Sequence, residues 1–207
     1  MPLWAERSRS TSKAVLCLHA LAVLLIVVFI TTACMNHTQD IQATCYADIE
    51  VQDYGTITIA LNEDAAPITV DNFVSLAKNG FYDGLTFYRV IEGFMIQGGD
   101  PNADGTGGSG RTIFGEFLAN GYENELSHTR GAISMFRTDE DYNSASSQFF
   151  IVHQDSVYLD GQYAVFGYVV SGIEIMDTIC ETVQPSDSNG SVKPDDQPVI
   201  STIRIYE

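Results

Sequence analysis

The chain has 207 residues, enough for one domain and an appendage, and its 45% hydrophobic and 18% charged content is that of a globular protein. Its formal net charge of −17 is concentrated from Tyr46 onward, where 25 Asp and Glu stand against 7 Lys and Arg. Such a field repels phosphate backbones and argues against a nucleic-acid partner.

Residues 1–13 carry Arg7, Arg9 and Lys13 against Glu6, and Ala14 to Ile30 is a 17-residue apolar run broken only by His19. This is the plan of a secretory signal or an N-terminal membrane anchor over residues 1–33, and it places the domain that follows outside the cytoplasm. The run sits at the short end of the ~17–25 residues that span a bilayer, so cleavage and retention both stay open. Thr31-Thr32-Ala33-Cys34 resembles a bacterial lipobox, with Thr31 where Leu is usual. The favoured expectation is a membrane-anchored lipoprotein with its lipid on Cys34, and the alternatives are a retained helix and plain secretion. Residues 34–45 are polar and aperiodic and read as a tether, which leaves residues 46–207 for the domain.

Thr56 to Leu61 alternates, with Ile57, Ile59 and Leu61 on one face, and predicts a half-buried strand. A helix follows: Pro67 fits its first turn, Val70, Phe73, Val74 and Ala77 recur on one face, Lys78 suits its negative end and Gly80 its stop. Further strands are predicted at residues 86–91, 94–97, 132–135, 148–152, 164–170 and 199–205. Met176, Ile179, Cys180 and Val183 signal a second helix, and residues 184–198 a polar loop. Many short strands with two helices point to a mainly β fold, a closed antiparallel β-barrel capped by the two α-helices. Cys45, ahead of the first predicted strand, and Cys180, on the late helix, have no metal-ligand spacing, and pairing or idle thiols both remain open.

The segment from Phe87 to Asp100, FYRVIEGFMIQGGD, sets one cation, Arg89, among aromatics, a thioether and a glutamine. Residues 147–152 (SQFFIV) and 158–167 (YLDGQYAVFG) add a second glutamine and apolar walls. No histidine, cysteine or serine stands as a nucleophile, so such a site binds and polarises. A guanidinium suits that work because it stays charged at physiological pH and offers several donors in a rigid fork.

At this spacing the three segments resemble the cyclophilins, the peptidyl-prolyl cis-trans isomerases built on an eight-stranded barrel, over about 160 residues from Tyr46 to the end. The resemblance implies isomerisation of X-Pro bonds with proline-containing polypeptides as partners, which by the N-terminal leader are extracytoplasmic proteins, unfolded or newly exported. It implies a monomer working without metal or cofactor. The barrier to peptide rotation is ~18–20 kcal/mol and comes from nitrogen lone-pair resonance. A catalyst lowers it by binding the twisted amide and donating a hydrogen bond to the nitrogen as it becomes pyramidal. By the resemblance Arg89, Phe94 and Gln97 are catalytic, and Tyr88, Met95, Phe136, Thr138, Gln148, Phe150, Tyr158, Leu159 and Tyr163 bind substrate.

 Phe94, Met95, Phe150, Leu159 and Tyr163 would grip the proline ring, while Gln97 and Gln148 would orient the arginine and the substrate backbone.

The sequence departs from the family at four of these places. Tyr88 and Tyr163 stand where many members have histidine, and Tyr158 replaces the tryptophan that contacts cyclosporin in sensitive members, which implies weak binding of the drug. Phe136 sits where a small alanine is usual, and its ring either narrows the groove or adds a contact for the residue before proline.

Other signals weigh less. Asp100 to Gly105 (DPNADG) mimics the start of an EF-hand loop, but its twelfth position is Arg111 and not the closing glutamate. Asn36 and Asn189 lie in glycosylation sequons. His128 and His153 have no serine or cysteine near them in a nucleophile-elbow context and read as structural or surface residues. The competing function classes are a non-catalytic docking module or holdase for proline peptides, and a calcium-stabilised adhesin.

Overall fold

The computed structural model describes residues 43–206. The signal or anchor over residues 1–33, Cys34 and the tether up to residue 42 lie outside the described residues. Eight strands form one sheet: β1 Cys45–Val51, β2 Gly55–Leu61, β3 Phe87–Ile91, β4 Met95–Gly98, β5 Ala132–Met135, β6 Phe149–Val152, β7 Val165–Ser171 and β8 Ile200–Tyr206. Two helices, α1 Pro67–Lys78 and α2 Ile173–Thr182, pack against β8 and across β2 and β3 respectively. The sequence reading sets Cys45 ahead of the first strand, whereas the structure begins β1 on it. The period of two is present there, with Ala47, Ile49 and Val51 buried between less buried neighbours. Cys45 and Cys180 are both thiols.

The strand order is β3-β4-β6-β5-β7-β2-β1-β8, antiparallel throughout, and the sheet curls into a half-barrel. The eight antiparallel strands and two helices match the fold expected from the sequence, and among the described residues no ladder joins the two ends of the sheet into a closed barrel. The end strands β3 and β8 meet at their leading ends, where Thr86 bridges Val199, Phe87 N–H donates to the Pro198 carbonyl (2.9 Å), Ile200 N–H to the Leu85 carbonyl (2.8 Å) and Gly84 N–H to the Ile200 carbonyl (2.8 Å), but they share no ladder. The physical reason lies on the outer edge of β3, which the polar loop occupies in place of β8. There Val90 N–H donates to the Gly190 carbonyl (2.8 Å), Val192 N–H donates to the Tyr88 carbonyl (2.9 Å), and Arg89 bridges to Ser191.

Alternation gives the sheet two apolar faces. Phe87, Ile96, Ile133, Met135, Phe149 and Ile151 enter the main core with Phe73 of α1, Tyr82 and Phe166. Their neighbours Met95, Ala132, Phe150, Val152 and Val165 point the other way and form a second, smaller cluster. The site stands on this second face. Pro67 opens α1, which has no side-chain cap of its own. The buried Glu116 serves instead, accepting from Ile68 N–H (3.0 Å), Thr69 N–H (2.8 Å) and the Thr69 hydroxyl (2.7 Å). Gly99, at φ +83°, takes the chain out of β4 where a Cβ would lie 2.6 Å from the Ser147 carbonyl, so the close approach of the two segments needs glycine.

Candidate active site

Strand register assembles the centre of the site. Arg89 pairs with Gln97, Gln97 with Phe150 and Phe150 with Ser134, so these residues form one row across β3, β4, β6 and β5. Neighbouring strands lie ~4.8 Å apart, which brings the guanidinium stem, the amide and the ring side by side on one face. Met95, two residues before Gln97, shares that face.

Arg89, Phe94, Met95, Gln97, Phe136, Phe150, Leu159 and Tyr163 line one small cleft of about 70 Å³. Eight of the twelve residues named from the sequence for catalysis or substrate binding therefore meet in one place. Phe150 is 5% exposed and Met95 1%, so the cleft floor is fixed by packing while its mouth stays open. Phe150 and Tyr163 meet edge to face, with centroids 5.8 Å apart.

The polar side of the cleft is a chain of hydrogen-bonded groups that ends on Arg89. Arg89 donates through one terminal nitrogen to Gln97 Oε1 (3.1 Å), through Nε to the Asn189 carbonyl (2.7 Å) and through the other terminal nitrogen to Asn189 Oδ1 (3.4 Å). These bonds use three of the five guanidinium N–H groups and leave two without a partner among the described residues. Gln97 donates to the Tyr88 hydroxyl and to Gln148 Oε1 (3.0 Å), and the Tyr88 hydroxyl donates to Gln148 Oε1 (2.7 Å). Gln148 spends its own amide on the carbonyls of Gly105 (3.1 Å) and Gly107 (2.8 Å). Each amide orientation is dictated by the next, because Arg89 requires an acceptor and the loop carbonyls require a donor.

Four residues stand elsewhere than in the cleft. Tyr88 is 7% exposed and lies behind Gln97, where burial, with Asp100 adding to it, pushes its phenol well above the ordinary value and keeps it neutral. It does not line the cleft and stands as a link in the polar chain. Gln148 lines the adjoining groove, its polar atoms already bonded, so its geometry is that of a tie between Gln97 and the glycine-rich loop. Thr138 is exposed in that same groove, its hydroxyl bonded to Ser144 (3.0 Å), and does not reach the proline cleft. Tyr158, 69% exposed, stacks on Phe94 with centroids 6.2 Å apart and forms the outer rim. Phe136 lines both the cleft and the groove and is their common wall.

Three supports stand around the cleft; the sequence reading gave His128 a structural or surface role without its partners and gave the other two no place in the site. His128, fully buried, stacks on Phe150 (5.9 Å between centroids) and bonds Asp160 Oδ1 through Nδ1 (2.8 Å) and Ser134 Oγ through Nε2 (3.1 Å). The resulting Ser-His-Asp row is not a hydrolytic triad, since Ser134 is fully buried beneath the site. Burial holds the His128 imidazole below its ordinary value, against the pull of Asp160. Arg137, 6% exposed, lies over the rings of Tyr163 (4.7 Å), Tyr142 (4.8 Å) and Phe117 (5.3 Å) and donates to the Gln162 and Thr138 carbonyls. The third is Asn189, already met at the guanidinium.

The EF-hand-like segment turns its first carboxylate inward. Asp100, fully buried, accepts from the backbone N–H groups of Asn102 (2.8 Å), Asp104 (3.2 Å) and Gly105 (2.5 Å), so it organises the loop that Gln148 holds. No cluster of three or more metal-ligating side chains occurs among the described residues.

With no nucleophile open to the cleft, the fold and site define a catalyst that works by gripping a small apolar ring and polarising the amide beside it, the class of the peptidyl-prolyl isomerases. Comparison with known proteins gives the family. The model for cyclophilin type peptidyl-prolyl cis-trans isomerases matches residues 46–205. Peptidyl-prolyl cis-trans isomerase B of Bacillus subtilis is 48% identical over 124 residues, covering 60% of this chain and 82% of its own. A peptidyl-prolyl cis-trans isomerase of Helicobacter pylori is 43% identical over 143 residues, 68% of this chain and 83% of its own. The crystal structure of a cyclophilin type isomerase of Cryptosporidium parvum, determined in the presence of the dipeptide Ala-Pro, superposes with a TM-score of 0.69 at 32% identity, covering 78% of this chain and 99% of that one. The chain belongs to the cyclophilin-type peptidyl-prolyl cis-trans isomerase family.

Proposed function

We propose that this isomerase acts outside the cytoplasm, tethered to a membrane by its N-terminal segment, on proline-containing chains that are unfolded or newly exported. The basic and apolar leader and the Thr31–Cys34 motif support the location. Mass spectrometry of the mature N-terminus tests it: a diacylglyceryl group on Cys34 fits the lipoprotein, and an intact Met1 contradicts it. We also read the half-barrel as functionally closed through the Thr86–Val199 bridge and the loop on β3.

In the cleft, Phe150, Met95, Leu159 and Tyr163 seat the proline ring, and Phe94 bounds its open side. Arg89 reaches the prolyl nitrogen with one of its two spare N–H groups. As the C–N bond turns, resonance is lost and the nitrogen lone pair localises, so a donor aimed there binds the twisted amide better than either planar isomer. Gln97 fixes the angle of that donor from below. Phe136 sets the width of the passage toward the residue before proline.

The observation that carries this reading is a partly exposed guanidinium on the rim of an apolar cleft, with donors to spare. A protease-coupled assay on a short X-Pro peptide tests it. Arg89→Ala is expected to lose at least tenfold in kcat/KM, about 1.4 kcal/mol of transition-state stabilisation. Equal rates for the variant and the parent protein would favour the docking or holdase alternative.

A further inference from the structure

The outer edge of β3 is covered by the turn over residues 187–191, within the polar loop that precedes β8. It is a built element. The Asp187 carboxylate accepts from the backbone N–H groups of Asn189 (2.9 Å) and Ser191 (3.1 Å), and Gly190 N–H donates back to the Asp187 carbonyl (3.2 Å). Ser186 closes its base, donating through both N–H (2.7 Å) and hydroxyl (2.8 Å) to the Ser191 carbonyl. Behind it Gln197 bonds the Val192 carbonyl (3.0 Å) and the Ala103 carbonyl (3.1 Å), tying the loop to the glycine-rich segment. Gly190 lies at φ +86° and is buried, and a Cβ there would come 2.8 Å from the Val90 carbonyl, so the turn sits flat on the strand.

This geometry delivers the Asn189 carbonyl to Arg89 Nε at 2.7 Å, the shortest of the three bonds that the guanidinium makes. Gln97 holds one terminal nitrogen from the neighbouring strand, and Asn189 holds Nε from the opposite side. Two acceptors on opposite flanks fix a planar fork in both tilt and direction, which neither does alone.

We propose that the Asp187–Ser191 turn is a positioning element for catalysis, in which Asn189, through its backbone carbonyl, aims the Arg89 guanidinium into the proline cleft. This rests on the reading of Arg89 as the catalytic donor. Because the contact comes from the main chain, its integrity depends on Asp187, which shapes the turn without touching the cleft.

The test compares Asp187→Ala, Asp187→Asn and Arg89→Ala with the parent protein by kcat and KM on an X-Pro peptide and by the NMR signal of the Arg89 Nε–H group. Asp187→Ala removes the acceptor that shapes the turn, whereas Asp187→Asn keeps one. The expected result is a roughly three- to tenfold fall in kcat for Asp187→Ala with KM within about twofold, because aim is lost while the apolar wall is intact. The Nε–H signal should move and exchange faster with water in the same variant, and Asp187→Asn should restore both readouts. An unchanged kcat, a fall in kcat with the Nε–H signal unmoved, or no rescue by asparagine would each overturn the proposal. Arg89→Ala separates the two levels: if it keeps full rate, the catalytic reading itself fails, and if it is impaired while Asp187→Ala is not, only the positioning role fails.

Discussion

Replacing Gln97 with leucine probes the aim of the arginine from its other flank. The substitution removes the acceptor at 3.1 Å from Arg89 and the two donors that Gln97 gives to Tyr88 and Gln148. Few buried groups are stranded by it, because the Tyr88 hydroxyl still donates to Gln148 and Gln148 still bonds the two glycine carbonyls. The folding cost is therefore the ordinary ~1–3 kcal/mol for buried hydrogen bonds, a few degrees in Tm. The kinetic cost is separate. A hydrogen bond to a charged group is worth ~1.5–3 kcal/mol, and losing the lower figure at the transition state alone corresponds to about a tenfold fall in kcat/KM. Since the apolar wall is untouched, the loss belongs in kcat, with KM within about twofold. Steady-state kinetics on an X-Pro peptide, beside a denaturant melt to show that the variant is folded, measures both. A folded Gln97→Leu protein with unaltered kcat would refute the claim that this amide orients Arg89.

Tyr88→Phe should separate stability from rate in the opposite sense: the Arg89–Gln97 bond survives, so kcat stays within about twofold, while the loss of a buried hydroxyl between two amides costs ~1–2 kcal/mol in a denaturant titration. An unchanged denaturation midpoint would contradict the geometry of the polar chain. Stability should also depend on pH through His128. Its folded-state pKa is depressed by burial, so the unfolded chain takes up a proton near pH 6.5 while the folded one does not. The contribution is complete above that value and is lost progressively as pH falls below it; denaturant midpoints should drop on that side, and His128→Gln should flatten the dependence. Phe136→Ala should join the cleft to the adjoining groove and raise KM by roughly fivefold, the worth of about 1 kcal/mol of aromatic contact, and an unaltered KM would remove Phe136 from the substrate wall.

How far the molecule could be read from its residues depended on the range of the interactions. Punctuation and period gave α1 from Pro67 to Lys78 and the strand through Ile57, Ile59 and Leu61, since these signals lie within a dozen residues of chain. The strand β1 carries the same period, but its inward positions begin with a small alanine and its outward ones include Tyr46, Asp48 and Glu50, so the apolar signal is weaker than in β2. Cleft residues were legible through the family motifs, and the register of Arg89, Gln97 and Phe150 across three strands explains why those motifs recur together. What the residues did not announce were contacts that only the folded topology creates. Nothing local marks Arg137 as a buried cation, because its rings come from residues 117, 142 and 163. The same holds for His128, whose partners Ser134 and Asp160 lie 6 and 32 residues along the chain, and for Asn189, a polar residue in a polar loop until β3 runs beneath it. Tyr88 was named by the resemblance, and its place behind Gln97 follows from the fold: a register shift between Phe87 and Arg89 interrupts the alternation at that point.

The central claim is that Arg89 accelerates the turn of a prolyl bond and does more than help to hold it. Two-dimensional NMR exchange spectroscopy on an X-Pro peptide, recorded with the parent protein and with Arg89→Ala at matched fractions of bound peptide, measures binding and interconversion in one sample. The account predicts that the variant still binds the peptide through its apolar wall, with Kd within a few-fold, while cis-trans exchange slows by at least tenfold. Exchange at the parent rate on peptide bound to Arg89→Ala would contradict it.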